Sequence, residues 1–339
     1  MCINPNILVP NGFYPSGKQK YDFFASARSH LKGSIRPSTL FSERNNWFVT
    51  DSILSQRPDA ILAPCCQCIE CRLKNANMKA IQVMHETQSY THNSFVTLTY
   101  NDEHLPFNSG AIRPTLNSKH LTDFFKRFRR YLDYHGYSSI RYLAAGEYGD
   151  HSFRPHYHLI IFNWFPDDAR YLPQCSSETI KCFTSPTIER LWPYGFNCIG
   201  SVNFNSARYV AQYSLKKQTG VNADYYSVNK IFPEFVHSSS NPGIGHDFFV
   251  RHHESIAANG YICLEGIKYS VPRYYIKLLE RLNPALYDYF CKRRIANASG
   301  ILHDFERDFA REEILLHKQE RFRKSYEETL TALESYKKV

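Results

Sequence analysis

Arg154-Pro155-His156-Tyr157-His158-Leu159-Ile160-Ile161-Phe162 is the stretch from which the rest of the chain can be read. Its residues are bulky, β-branched or aromatic, and its only proline stands near the start, which is the composition of a strand. Residues two apart on a strand point to the same face. His156 and His158 are therefore expected side by side on one rigid element, where neutral imidazoles are ready metal ligands.

Upstream, Ile140 to about Tyr148 reads as a second strand and Gly149-Asp150-His151-Ser152 as the turn of a β-hairpin. A turn centred near residues 151–152 sets Glu147 directly across from His156, with Cβ atoms roughly 5 Å apart. Glu147 is the expected third ligand, and Asp150 the alternative. An oxygen donor beside two imidazoles suits Mg²⁺ or Mn²⁺, with Zn²⁺ as the other choice. The competing reading is a pair of hydrogen-bonded core histidines.

Further out, Ser94-Phe95-Val96-Thr97-Leu98-Thr99-Tyr100 reads as a buried strand, and Cys71 to about Gln88 as a helix. Residues 118–134 form the clearest helix: Leu121, Phe124, Phe125, Phe128 and Leu132 make an apolar stripe, Ser118 is the expected N-cap and Gly136 the stop. Its other face carries Lys126, Arg127, Arg129 and Arg130. Helix, strand, helix, hairpin and helix in this order predict an α+β fold, an antiparallel β-sheet with flanking helices, read as lying on one face. A helical C-terminal extension follows, with His303–Lys338 charged and amphipathic. Residues 1–60 read as an irregular arm, 61–220 as the main domain, and 221–339 as mostly helical, with 218–260 low in regular structure.

In Tyr209-Val210-Ala211-Gln212-Tyr213-Ser214-Leu215-Lys216-Lys217, the spacing puts Tyr209, Tyr213 and Lys216 on one helix face. A phenol has a pKa of about 10 and attacks only when activated. A metal at a phosphate and a nearby lysine supply that activation. The plainer reading is an aromatic i,i+4 pair in a core. The run Pro64-Cys65-Cys66-Gln67-Cys68-Ile69-Glu70-Cys71-Arg72 places Cys65, Cys68 and Cys71 at C-x₂-C-x₂-C spacing. It is a candidate structural zinc site, with Cys66, Cys175, Cys182 or Cys198 to complete it, or else buried cysteines before a helix.

The chain has 339 residues, 43% hydrophobic and 22% charged, which is globular and enough for one large or two modest domains. Its 41 basic and 32 acidic residues leave a net charge of +9, favouring an anionic partner. Lys126, Arg127, Arg130 and Lys217 are the candidate contacts to such a partner. No stretch approaches the roughly 20 apolar residues that cross a bilayer. Without a signal-like start, a soluble intracellular protein with no membrane contact is expected, and the ten cysteines do not read as a disulfide framework.

Phe95-Val-Thr-Leu-Thr-Tyr100, Pro155-His-Tyr-His158 and Tyr209-x₃-Tyr213-x₂-Lys216 together resemble the three motifs of HUH rolling-circle replication initiators, most closely those of the Microviridae, gokushoviruses in particular. The cysteine cluster, Gly146-Glu-Tyr-Gly-Asp150, Pro242-Gly-Ile-Gly245 and Pro272-Arg-Tyr-Tyr275 look like that group as well. The resemblance covers roughly residues 61–280. It implies a metal-dependent nick in viral origin DNA, single-stranded or as the supercoiled replicative form, with the 5′-phosphate kept on tyrosine. His156 and His158 would hold the metal, and Tyr209 and Tyr213 would be nucleophiles. Tyr213 is expected to act first, since Lys216 follows it while Gln212 stands where some relatives carry a second lysine. Host helicase and DNA polymerase would be partners, in the bacterial cytoplasm. The rival readings are a metal-dependent nuclease using water, a relaxase or transposase of the same class, and a zinc-stabilised nucleic-acid-binding protein that is not an enzyme.

Overall fold

The structure is a computed structural model, and it describes residues 6–15, 19–26, 59–64, 66, 69–149, 152–176, 181–212 and 224–299. These fall into two compact units, one ending at Lys74 and the other running on from Asn75. The first contains β1 (Asn6–Phe13), β2 (Gln19–Ser26) and β3 (Ile61–Ala63), an antiparallel sheet in the order β2-β1-β3. Strands thus stand where an irregular arm was expected. Register shifts at Ile7/Leu8 and Pro10/Phe13 break the alternation from which a strand is read.

Helix α1 (Ile69–Thr87) leads into the second unit. There follow β4 (Asn93–Tyr100), α2 (Ser118–Tyr134), β5 (Arg141–Tyr148), β6 (Pro155–Phe162), β7 (Arg170–Tyr171), β8 (Phe183–Thr184), α3 (Pro186–Leu191), β9 (Gly195–Gly200) and α4 (Phe204–Gln212). After these come α5 (Asp224–Asn229), β10 (Phe235–Ser238), α6 (His246–Asn259), β11 (Tyr261–Leu264), β12 (Ile267–Ser270), α7 (Arg273–Leu282) and α8 (Pro284–Ser299). Seven strands form one antiparallel sheet in the order β10-β5-β6-β4-β9-β8-β7. The fold is α+β, as read from the sequence.

Helices cover both faces of this sheet, not one. On the first face, Val96, Leu98, Tyr157, Leu159 and Ile161 pack against Leu121, Phe124, Phe125, Phe128 and Leu132 of α2. That is the stripe visible in the sequence, and burying each large apolar side chain contributes roughly 1.5–3 kcal/mol. The N-cap is Asn117, one residue before the one expected: its side chain accepts from the backbone N–H groups of Lys119 and His120. Gly136, at φ +71°, ends the helix in the left-handed conformation that glycine tolerates.

On the second face, Leu143, Ala145, Ile160 and Phe162 pack against Ala80, Ile81 and Val83 of α1, Ala207 and Val210 of α4, and Phe249, Tyr275 and Leu279 from α6 and α7. Helix α6 and strand β10 lie in a stretch that reads as irregular. The helix buries only Phe249, Ile256 and Ala257 in a polar, histidine-rich sequence, so its periodicity is faint.

The Pro242–Gly245 and Pro272–Tyr275 segments meet here. The Gly243 N–H donates to the Tyr274 hydroxyl at 3.0 Å, and the Gly245 N–H donates to Glu86 Oε2 at 2.6 Å. Gly245 has φ +81°, and a Cβ there would come within 2.1 Å of the Tyr275 hydroxyl. Both segments therefore hold the helical layer together.

Candidate metal and nucleotidyl-transfer site

The site grows out of strand register. Glu147 pairs with His156 across the β5–β6 hairpin, and Thr97 pairs with His158 across β4–β6. Opposed residues share a face, so Glu147, His156, His158 and Thr97 project together from the second face, toward the turn end of the hairpin. Beyond Ala145 and Ile160 the apolar packing stops and these polar groups begin.

His156 Nε2 lies 2.6 Å and His158 Nε2 3.1 Å from Glu147 Oε1. One ligand atom from each of the three residues falls within 4.8 Å of the others, and no other such group of three occurs among the described residues. Glu147 is 2% exposed and His158 5%, while His156 is half-buried. The two rings stand nearly perpendicular, 88° apart with centroids at 4.9 Å.

The outer nitrogens are held from behind. His156 Nδ1 lies 3.0 Å from the Arg154 carbonyl oxygen, which can only accept, so Nδ1 carries the proton. A neutral His156 then turns the lone pair of Nε2 toward a carboxylate oxygen 2.6 Å away. Two acceptors keep that distance only with a proton or a cation between them. His158 Nδ1 is held 3.0 Å from the Thr97 hydroxyl, and Phe95 stacks on its ring at 5.7 Å. Two oriented imidazoles and a carboxylate, with hydrogen bonds behind the rings, are a donor set that fits a divalent ion.

Helix α4 places the tyrosine. Ala207, Val210 and Ala211 are buried against the sheet, which turns Tyr209 outward over the triad. Its ring meets that of His158 edge-on, with centroids 5.3 Å apart, and it is 47% exposed. A side chain touching a ligand histidine while open to solvent can reach a substrate held there.

The remaining expected residues divide. Tyr213, Lys216 and Lys217 lie outside the described residues, as do Cys65, Cys68, Asp150 and the segment His303–Lys338. Cys71 is buried in the first turn of α1. Lys126, Arg127 and Arg130 are on α2, in the layer covering the opposite face of the sheet from the triad. Arg127 is partly committed to packing, since its Nε donates to the Leu191 carbonyl at 2.9 Å. The orienting roles of Thr97 and of the Arg154 carbonyl escape a reading of the sequence. Alternation on β4 offers a signal for Thr97, because Thr97 and Thr99 share a face; a backbone carbonyl offers none.

The same segments align with known proteins. Residues 93–218 match a family model described as Replication-associated protein ORF2. The chain belongs to this family of phage replication-associated proteins. It is 35% identical over 246 residues to the Replication-associated protein ORF2 of Spiroplasma virus 4, covering 71% of this chain and 72% of that one. It is also 35% identical over 227 residues to the Replication-associated protein VP4 of Bdellovibrio phage phiMH2K, covering 65% of this chain and 68% of that one. Over 222 residues it is 33% identical to the Replication-associated protein ORF4 of Chlamydia phage 1, covering 65% of this chain and 54% of that one. No solved structure matches the chain. Among the described residues, no helix is long and apolar enough to cross a membrane.

Proposed function

We propose that the protein initiates phage DNA replication as an HUH endonuclease, nicking one strand of origin DNA and retaining its 5′-phosphate on tyrosine. The observation that carries this reading is Tyr209 standing against His158 of the Glu147–His156–His158 triad. Glu147, His156 and His158 would hold Mg²⁺ or Mn²⁺. When bound, such an ion withdraws charge from a scissile phosphate.

The chain's own groups do the rest. The Arg154 carbonyl and the Thr97 hydroxyl keep both Nε2 atoms aimed at one point. A tyrosine oxygen attacks phosphorus and loses its proton. The bond from phosphorus to the 3′-oxygen breaks, and that oxygen leaves as a 3′-hydroxyl. The phosphotyrosyl bond conserves the phosphodiester, so a later 3′-hydroxyl can reseal it. Tyr209 and Tyr213 serve as the two nucleophiles, and Lys216 balances charge at the phosphate. The substrate is origin DNA, as a single strand or the supercoiled replicative form, in the host cytoplasm. Host helicase and polymerase extend the 3′ end. Cys65, Cys68 and Cys71 would take a structural zinc.

A denaturing gel tests this. Full-length protein is mixed with single-stranded origin DNA and Mn²⁺ or EDTA, beside Tyr209→Phe, Tyr213→Phe and the double variant. A metal-dependent covalent adduct that is lost in the double variant is expected, and the single variants rank the tyrosines. Cleavage without an adduct, unchanged in the double variant, assigns the reaction to a water nucleophile instead.

A further inference from the structure

A shallow groove lies at the C-terminal end of α2, lined by Arg127, Arg130, Tyr131, Asp133, Tyr134 and Leu191. Tyr134 is 86% exposed, an unusual position for so large a ring. It meets His135 edge-on, and Tyr131 packs against both His135 and Tyr137. Aromatic faces therefore continue along the groove. Arg130 is exposed and makes no ion pair among the described residues. The guanidinium of Arg127 lies over the Tyr194 ring at 5.9 Å, and its Nη2 has no hydrogen-bond partner among the described residues. Lys126, one turn away, is 72% exposed. The acidic members nearby are Asp133 and Asp123, and Asp123 is already shared by Lys119 and Lys126.

Guanidinium groups beside exposed aromatic rings are the chemistry that holds single-stranded nucleic acid: charge for the phosphates, ring faces for the bases. The groove opens on the layer that covers the first face of the sheet, while the triad and Tyr209 stand on the second. The sheet lies between them, so no single nucleotide reaches both. We propose that the α2 groove binds a segment of single-stranded DNA separate from the segment at the triad. The choice of DNA as the polyanion rests on the proposed function above. The physical consequence is that a strand can remain bound while its cut end is at the tyrosines.

The test is equilibrium binding of full-length protein to long oligothymidylate in EDTA, followed by fluorescence anisotropy across a salt series. No cleavage or cognate sequence is involved, so failure of the tyrosyl-transfer reading leaves the measurement intact. Tyr134→Ala keeps every charge and is expected to weaken binding about 10-fold. Arg130→Ala is expected to lower the slope of log affinity against log salt by about 0.7, the loss of one phosphate contact on a single strand. Both side chains are exposed, and unchanged melting temperatures confirm that the variants fold. The loss in Tyr134→Ala should have the same size in a His158→Ala background, because independent sites add. Unchanged affinity in Tyr134→Ala, or a loss that vanishes in the His158→Ala background, overturns the proposal. A larger loss for duplex than for single-stranded DNA also overturns it.

Discussion

The two faces of the seven-stranded sheet come from the same alternating strands, yet they end differently. On the first face the few polar atoms are consumed internally. The Tyr157 hydroxyl donates to the Asn117 carbonyl and accepts from its N–H, both at 2.9 Å, and lies 3.0 Å from the Tyr100 hydroxyl. Burial pushes the Tyr157 phenol up to about 12, so it stays neutral. On the second face the apolar packing gives way to Glu147, His156 and His158, whose atoms converge on one point with Tyr209 above them. Polar groups that only satisfy one another stabilise a fold. Polar groups aimed together at a half-open position are arranged for a ligand.

The sharpest way to break this contrast is His158→Ala. Removing one member of a group that acts as a unit is expected to lower adduct formation on the order of 10⁴-fold. Its melting temperature should move little, since the ring lies at the rim of the packed region. A variant that keeps full activity removes the triad from the chemistry.

Phe128→Ala probes the other face. That ring is fully buried between Phe124 and Trp164, so its loss is expected to cost about 4 kcal/mol of stability in urea unfolding. Mn²⁺ affinity of the folded fraction should remain that of the parent. A change in metal affinity equal to that of His158→Ala would show that the faces are not separable.

A smaller effect sharpens the picture within the second face, away from the triad. His85 is buried, stacks on Phe248, and accepts a hydrogen bond at Nδ1 from the Tyr275 hydroxyl at 3.0 Å. Burial first, and the neighbouring His252 second, lower its pKa from 6.5 to about 4. The unfolded chain therefore binds a proton below pH 6.5 that the folded chain refuses. Stability is full above that value and falls as pH drops toward 4, by about 2 kcal/mol at about pH 5 and about 3 kcal/mol at the limit. Unfolding by urea across this window should show the decline, and His85→Asn should flatten it. An equal decline in the variant would assign the pH dependence to other groups.

Much of this molecule is legible in one dimension because its elements are short-range facts. The α2 stripe, the β4 alternation and the β5–β6 hairpin follow from period and turn position alone, and Glu147 opposite His156 follows from counting residues across that turn. The strands near the N-terminus and helix α6 escape such a reading because bulges and a thin apolar stripe blur the period. That Thr97 and a backbone carbonyl orient the two histidines, and that Tyr209 stands over His158, depends on which strands and helices become neighbours.

The placement of the basic helix is also a tertiary matter. Sequence shows that Lys126, Arg127 and Arg130 share a helix opposite an apolar stripe. Only the packing puts that helix on the far side of the sheet from the triad. The sequence by itself determined the α+β class, the two histidines, their facing glutamate and the tyrosine helix, because periodicity and hairpin register are local. The tertiary structure decided which face each helix covers and which polar groups meet, because those outcomes come from burying apolar surface between segments far apart in the chain.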